Sequence, residues 1–490
     1  MKKLISCLLL IAMLVTALAA CQKKNENEET QTTNDRANQI LDEYGRPYLS
    51  NPLVEEGIRF DDTVISILYY DDYQVYDPDQ VGELVNDANL SRDLSVESAL
   101  GVILEYKYTP KAGQMTEYND LVVKSISAGG TPYNILMTHP YYSANMAIEG
   151  YYQNVHELKY VDFDQPWWTE KVMDEITVND VSYFASGDMT TANCGATSCM
   201  YFNKNLYNAR YTENIYETVE AKDWTMEKFN AMVKESHVDN DGVAGSSQND
   251  FLGLAASPGV ATADPLMFGF GIHITKLDAN GDLQIALGDE LSVNAFTAVY
   301  DLVNANDGVW HNNSADSKDV AWIYPKFANG QSLFHIGYFY DTKSFTEMTD
   351  KFGVLPTPLL DASQTEYHSG GVDGLLAIPI NAPELDATAA TMELLNYFGY
   401  QYTVPVYFEK MLKTMYADAP EDSAMYEMLH EVKTIDFGAV YSFAMGDPLW
   451  SWRKQLRTES NGIVSHWETQ VPIYSDGLTN IMEAFRQLGV

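Results

Sequence analysis

Basic residues are scarce in this sequence, and their scarcity excludes several functions. Of 490 residues, 30 are Lys or Arg and 69 are Asp or Glu, which gives a formal net charge of −39 at pH 7. Proteins bind phosphate backbones and anionic lipid headgroups mainly through clustered Lys and Arg side chains. We find no basic patch along the sequence, so it does not indicate a nucleic-acid-binding protein or one that adheres to anionic membranes.

Short catalytic motifs are also missing. The sequence contains no HExxH, no GxSxG and no phosphate-binding glycine loop, and the His-Glu pairs at His156 and His430 are not followed by a second His. It has no internal repeat and no β-sandwich spacing, which argues against a surface adhesin. A glycoside hydrolase stays open as an alternative, because its paired carboxylates carry no short signature.

The N-terminus has the pattern of an export signal. Lys2 and Lys3 precede an apolar run over residues 4–20, which is short for a membrane span. The run ends Leu-Ala-Ala before Cys21 and resembles the lipobox of bacterial lipoproteins, which implies cleavage before this Cys and its lipidation. We predict a signal peptide over 1–20 and, because the following residues are polar and aperiodic, a lipidated tether over 21–60. An ordinary cleaved signal is the alternative.

Cysteine is rare as well, with four residues in the whole chain. Cys7 leaves with the predicted signal peptide, so only Cys194 and Cys199 remain in the folded part. A disulfide between them is permitted in an exported protein, and two free thiols are the alternative. Two Cys without a neighbouring His supply too few ligands for zinc.

What the sequence does contain is α/β alternation. Hydrophobic residues make up 46% of the chain, enough for a large core. In open α/β sheets, ligands bind beyond the carboxyl ends of the strands. Residues 70–73 follow the first predicted strand and residues 139–142 follow the third, so the pattern places both segments on one rim of the sheet. The predicted elements are strands over 63–70, 102–108 and 132–137 and helices over 91–101 and 118–128.

Six segments, in order, resemble the extracellular solute-binding proteins of ABC importers, the clamshell family that includes the maltose-binding protein. None is specific alone, but their order behind a lipobox is informative. The segments are GGTPYNIL at 129–136, YFNKNLY at 201–207, WT at 224–225, FANGQSLF at 327–334, FGVLPTP at 352–358 and AIP at 377–379.

The resemblance implies a fold and a function. The implied fold is a two-domain, type II periplasmic-binding-protein-like α/β clamshell, with domain 1 over 61–187 and 376–436 and domain 2 over 190–370 and 446–490. Chain crossings near 186–193, 368–375 and 435–445 would act as hinges. The implied protein is a monomeric receptor without catalysis or cofactor. It is anchored by lipid at the extracellular face of the cell membrane, and it closes around a solute and delivers it to permease subunits.

The ligand is predicted from the aromatic residues. Tyr is unusually abundant, with 33 residues against 19 Phe and 8 Trp, and a Tyr ring offers an apolar face and a hydrogen-bonding hydroxyl. A sugar has apolar C–H faces and a polar edge, so we predict an oligosaccharide; a peptide or another small solute is the alternative. The candidate residues are Tyr70, Asp72, Tyr73, His139, Tyr141, Tyr142, Tyr338, Phe339, Tyr340, Asp373 and either Trp450 or Trp452.

One segment has the spacing of a calcium loop. Residues 237–242, HVDNDG, place oxygen ligands before a Gly as an EF-hand does, and Asp239, Asp241 and Asp250 could contact an ion. His237 stands where the first carboxylate belongs and Gln248 where the bidentate Glu belongs. We therefore predict no metal and a plain solvated turn, with calcium as the alternative.

Overall fold

The computed structural model describes residues 41–70, 75–110, 115–312, 322–371 and 374–488. The chain separates into a short unit, 1–55, and a large unit, 56–490. In the short unit the carboxylate of Asp42 closes a turn by accepting from the backbone N–H groups of Tyr44 and Arg46, both at 2.9 Å, and helix α1 spans Pro52–Glu55. The predicted signal peptide, Cys21 and the first part of the tether lie outside the described residues.

Strands and helices alternate along the large unit, as the sequence predicts. The strands are β1 Val64–Tyr69, β2 Ile103–Tyr108, β3 Ile135–Thr138, β4 Ser198–Asn203, β5 Leu252–Ala255, β6 Thr275–Leu277, β7 Leu283–Ile285, β8 Val309–Trp310, β9 Ser332–Tyr338, β10 Phe352–Leu355, β11 Ser369–Gly370, β12 Leu375–Ala377 and β13 Lys433–Thr434.

The helices cover both sheets. They are α2 Leu84–Leu100, α3 Thr116–Ser127, α4 Pro140–Ile148, α5 Glu170–Ile176, α6 Ala192–Gly195, α7 Lys204–Arg210, α8 Ile215–Glu220, α9 Met226–Ser236, α10 Ala263–Gly269, α11 Glu290–Ala305, α12 Ile323–Ala328, α13 Leu385–Phe398, α14 Pro420–Glu431, α15 Phe437–Val440, α16 Pro448–Gln455 and α17 Ile463–Leu488. Short 3₁₀ turns include Phe339–Ser344 and Phe443–Met445, and π-helical segments span Gly399–Thr403 and Val406–Tyr416.

The first sheet has the strand order β12-β3-β1-β2. Strand β1 runs parallel to β2, with Val64 opposite Ile103, and parallel to β3. Strand β12 joins the other edge of β3 in the antiparallel direction. Residues 65–68 of β1 are buried, because helices and strands cover the centre of a mostly parallel sheet on both faces. The carboxyl ends of β1 and β3 therefore lie on one rim, as predicted.

The second sheet has the order β10-β4-β9-β5-β8. Strand β9 lies at its centre, antiparallel to β4 and parallel to β5, and all seven of its residues are buried. Helix α9 crosses this sheet closely. A Cβ atom at Gly253 would lie 2.1 Å from the carbonyl oxygen of Val233, so only glycine allows this approach.

The three segments predicted as chain crossings lie side by side. Strands β11 and β13 pair in parallel, with Ser369 opposite Lys433. The backbone N–H of Gly370 donates to Ser198 Oγ at 3.0 Å, and Lys433 Nζ donates to Asn193 Oδ1 at 2.8 Å. Hydrogen bonds thus join the ends of all three segments into one narrow band.

Helices α13 and α14 each carry a polar side chain that is largely buried. Glu393 in α13 is 2% exposed and accepts from the indole N–H groups of Trp167 and Trp168 at 2.9 and 3.0 Å. His430 lies near the end of α14 with its ring 4.7 Å from that of Phe408. Burial, together with Lys433 and other nearby lysines, lowers its pKa from 6.5 to about 4.

Within the described residues, the model contains no helix that is both long enough and apolar enough to span a membrane.

Candidate ligand-binding site

The carboxyl end of β3 carries a cluster of rings. The strand ends at Thr138 and α4 begins at Pro140, since proline is well suited to the first turn of a helix. His139 and Tyr142 are half-buried with ring centroids 5.0 Å apart, and Tyr141 and Tyr142 meet edge to face at 4.8 Å. The structure therefore brings together these three residues of the predicted rim.

The hydroxyl of Tyr141 reaches a carboxylate distant in sequence. It donates to Asp447 Oδ2 at 2.7 Å, and Asp447 caps α16 by accepting from the backbone N–H of Trp450 at 3.1 Å. Burial and the neighbouring carboxylate raise the pKa of Tyr141, so its hydroxyl stays protonated and donates. Phe443 packs on the Tyr141 ring with a centroid distance of 5.9 Å.

A second pair of rings lies where β9 ends. Tyr338 and Tyr340 stack with centroids 5.2 Å apart and planes 22° apart. The Tyr338 hydroxyl donates to the carbonyl of Val260 at 3.1 Å. Burial raises the pKa of Tyr338, and Asp264 adds to the increase.

The turn after β9 is fixed by Asp341. Its Oδ2 atom accepts from the backbone N–H of Tyr338 at 3.1 Å and lies 2.9 Å from His335 Nε2. A Cβ atom at Gly337 would lie 1.8 Å from the same oxygen. The Gly and the His–Asp pair therefore hold the Tyr338–Tyr340 stack in place.

A buried ion pair joins helices α10 and α16. Arg453 in α16 binds Asp264 in α10 through both forks of its guanidinium, with Nε 2.9 Å from Oδ1. Their side chains are 11% and 4% exposed. Arg453 lowers the pKa of both Tyr141 and Tyr338, partly offsetting the effect of burial, so the ion pair lies within electrostatic reach of both.

Of the two tryptophans predicted in α16, only Trp450 lies at the surface. It is 36% exposed, and the guanidinium of Arg457 lies 5.6 Å from its ring centroid. Trp452 is 1% exposed and stacks on Trp467 in the core. Trp450 therefore stays the candidate for ligand contact.

Other predicted residues lie elsewhere. Tyr70 is fully buried with its ring 6.1 Å from that of Tyr118, and Phe339 is fully buried 5.0 Å from Tyr426, so we leave both out of the candidate site. Phe339 follows the strand, and its ring turns into the core while those of its neighbours stack. The remaining predicted residues, Asp72, Tyr73 and Asp373, lie outside the described residues.

Sequence reasoning missed the charged part of the site. Asp447, Asp264 and Arg453 belong to no motif. Asp264 and Arg453 are 189 positions apart, and Tyr141 and Asp447 are 306 positions apart. Only the three-dimensional arrangement reveals these partners.

Cys194 and Cys199, the two cysteines in the described part of the chain, are free thiols, and the disulfide alternative is not found. Cys194 lies in the short helix α6 near Lys433, whereas Cys199 lies inside β4 near Tyr201. Burial raises the pKa of the Cys194 thiol to about 12 and that of Cys199 well above its usual range. Both thiols are therefore protonated and inert at neutral pH.

Residues 237–250 form the acidic loop. Carboxylate oxygens of Asp239, Asp241 and Asp250 lie within 4.8 Å of one another. Each carboxylate already accepts from protein donors: Asp239 from the N–H of Gly242, Asp241 from Ser247 Oγ, and Asp250 from the N–H groups of Asn240 and Ser247. His237 lies 3.1 Å from Asp250. These hydrogen bonds account for the clustering, and the absence of calcium stays a prediction.

Comparison with known proteins identifies the fold. No family model matches the sequence, and no curated protein matches it. Solved structures do match. The maltose-binding protein MalE of Listeria monocytogenes, in complex with maltose, is 15% identical with a TM-score of 0.56, and the match covers 87% of this chain and 98% of that one.

Two further structures match over similar lengths. A cyclo/maltodextrin-binding protein complexed with maltotetraose is 12% identical with a TM-score of 0.54, covering 88% of this chain and 99% of that one. The substrate-binding protein Lmo0181 of Listeria monocytogenes, complexed with cycloalternan, is 12% identical with a TM-score of 0.52, covering 88% and 100%. The chain therefore has the predicted fold, that of the maltose-binding-protein-like, type II periplasmic-binding proteins.

Proposed function

We propose that this protein is the membrane-tethered substrate-binding receptor of an ABC importer and that it captures an oligosaccharide. The observation that carries the proposal is the presence, in this fold, of one tyrosine group at the end of β3 and another at the end of β9. The solved structures with the same fold bind maltose, maltotetraose and cycloalternan, which supports a carbohydrate as the ligand.

The chemistry of the site suits a sugar. Tyr340 and Trp450 offer partly exposed ring faces for the apolar C–H surface of a pyranose. His139 and Asp447 offer polar atoms at the edges of the rings, where sugar hydroxyls need donors and acceptors. The Asp264–Arg453 ion pair ties α16, the helix that Asp447 caps and that contains Trp450, to α10.

Capture would proceed by hinge closure. We assign domain 1 to 61–187 and 376–436 and domain 2 to 190–370 and 446–490, with hinges near 186–193, 368–375 and 435–445, in the narrow band where Gly370 bonds to Ser198 and Lys433 bonds to Asn193. Bending in so narrow a band moves two domains as rigid bodies. A sugar that contacts both tyrosine groups binds the closed form more tightly than the open form, and this difference in affinity drives closure.

The importer role sets the location of the protein. Lipidation at Cys21 would keep the receptor at the extracellular face of the cell membrane as a monomer, and the polar tether would let it reach the permease. The receptor would release its ligand unchanged, without catalysis or a cofactor.

Calorimetry with maltotetraose, maltose and cycloalternan tests the proposal. We expect at least one sugar to bind, and Tyr340→Ala and Trp450→Ala each to weaken its affinity by about 10-fold, because each removes a ring face worth about 1 kcal/mol. Tyr48→Ala is the matched control, since Tyr48 is a 58% exposed tyrosine of the short unit.

The outcomes separate the alternatives. Equal affinity in all three variants would reject the site, and no binding of any sugar would reject the ligand class. Chromatography of the sugar after incubation tests for catalysis: recovery of shorter products would show a glycoside hydrolase instead of a receptor.

A further inference from the structure

A cavity of about 690 Å³ lies between two segments that are far apart in sequence. One is the end of α5 with the loop that follows it, 174–179, and the other is the β6–β7 hairpin with its flanking loops, 271–292. The cavity is not lined by either tyrosine group, by Trp450 or by the Asp264–Arg453 pair. We propose that this cavity is a second ligand-binding site and that it takes an organic cation, an ammonium or guanidinium group on an apolar body.

The charges in the wall are unbalanced. Asp174, Glu175 and Asp289 face one lysine, Lys276, and that lysine already lies 3.5 Å from Asp289. Within the described part of the chain, neither Asp174 nor Glu175 has an ion-pair partner. The cavity thus presents two carboxylates without an ion-pair partner, beside Lys276 and His273, and these carboxylates attract a cation.

Glu175 is the centre of this charge. It is half-buried, and no described residue donates a hydrogen bond to its carboxylate. Burial raises its pKa; His273 opposes the shift, and the carboxylates of Asp436 and Asp174 add to it. A cation beside Glu175 relieves this repulsion and replaces lost solvation.

Asp436 cannot move away from Glu175. It is 5% exposed, and it accepts from Thr275 Oγ1 at 2.8 Å and from the backbone N–H of Gly438 at 3.0 Å. It also accepts from the backbone N–H of Ile274. The Asp436 carboxyl group is therefore held in a fixed position behind the cavity.

Part of the wall is apolar. Ile272 and Ala286 are buried behind it, while Leu277 and Leu291 are 65% and 48% exposed at its rim. An apolar body would cover the two exposed leucines, and a volume of about 690 Å³ lies in the range of small-molecule sites. An inorganic cation would leave these leucines exposed, so the wall favours an organic one.

Benzylamine and benzyl alcohol test the proposal, because they share a ring and differ in charge. By calorimetry on the full chain, we expect benzylamine to bind at least about 10-fold more tightly than benzyl alcohol. Glu175→Gln keeps the shape of the side chain and should abolish this preference, and Asp174→Asn should reduce it. Glu468→Gln, at an exposed carboxylate on α17, is the matched control and should leave it unchanged.

Three results would overturn the proposal. The first is no binding of benzylamine at about 10 mM, and the second is equal binding of the amine and the alcohol. The third is loss of amine binding in Tyr340→Ala, which would place the amine at the tyrosine groups. A melting curve for Glu175→Gln that matches the unaltered protein shows that its fold is kept. The test does not depend on sugar binding, so it can fail or succeed independently of the proposed function.

Discussion

Removal of Asp264 should destabilise the protein strongly. Its carboxylate is the ion-pair partner of Arg453, whose side chain is 11% exposed. The Asp264→Ala variant would leave a guanidinium buried without a counter-charge, which costs about 3–5 kcal/mol. Folded proteins are stable by about 5–15 kcal/mol, so this change removes a large share of the total.

Urea unfolding followed by tryptophan fluorescence measures the loss. Asp120→Ala is the matched control, because Asp120 pairs with Lys124 where both side chains are more than half exposed, and we expect it to cost less than about 0.5 kcal/mol. The double variant Asp264→Ala/Arg453→Leu removes both charges and should be less destabilised than Asp264→Ala alone. A cost below about 1 kcal/mol for Asp264→Ala, or a double variant that loses the sum of both single changes, would refute this reasoning.

Three further predictions follow from buried or clustered groups. Because the pKa of His430 falls from 6.5 to about 4 on folding, the unfolded chain binds the proton first. The free energy of unfolding therefore decreases as the pH falls from 6.5 toward 4, by up to about 3 kcal/mol. The difference between the urea midpoints at pH 6.5 and pH 4 should be smaller in His430→Leu than in the unaltered protein. An equal difference in the two proteins would contradict the assignment. Glu393→Ala takes the acceptor from two buried indoles and should cost about 2–5 kcal/mol in the same assay, with Glu393→Gln losing less. Calcium at about 1 mM should move the melting temperature by less than about 1 °C, because protein donors already engage the acidic loop; a rise of several degrees that EDTA reverses would show a metal site.

The sequence predicts the strands of the first sheet better than its first long helix. Strands β1 and β2 lie within one residue of their predicted ends because β-branched, aromatic and other apolar residues dominate both segments. Helix α2 begins at Leu84, well before the predicted position 91. Its buried face carries polar residues, including Asn89, Arg92 and Asp93, which bond to one another. The buried face of this helix therefore shows little apolar periodicity, and the sequence pattern does not reveal where the helix begins.

The candidate site, like the fold, can be predicted only in part from the sequence. Tyr141 and Tyr338 were predicted because each lies at a strand end, a position that the order of elements reveals. Phe339 was predicted with equal reason, but its ring lies in the core. The choice between adjacent rings depends on Asp341, whose hydrogen bonds set the turn after β9. No short-range pattern encodes that choice, nor the long-range pairing of Asp264 with Arg453.

The place of β12 in the first sheet bears on the order in which the chain can fold. Strands β1, β2 and β3 are complete once residue 138 has been made, yet the far edge of β3 pairs with Leu375–Ala377. Helix α13, which packs on α2 and β1, comes later still. Until then β3 is a bare edge, open to pairing with other chains. All five strands of the second sheet are therefore synthesised before the first sheet is finished, so a growing chain stays incompletely folded until residue 377 has been made.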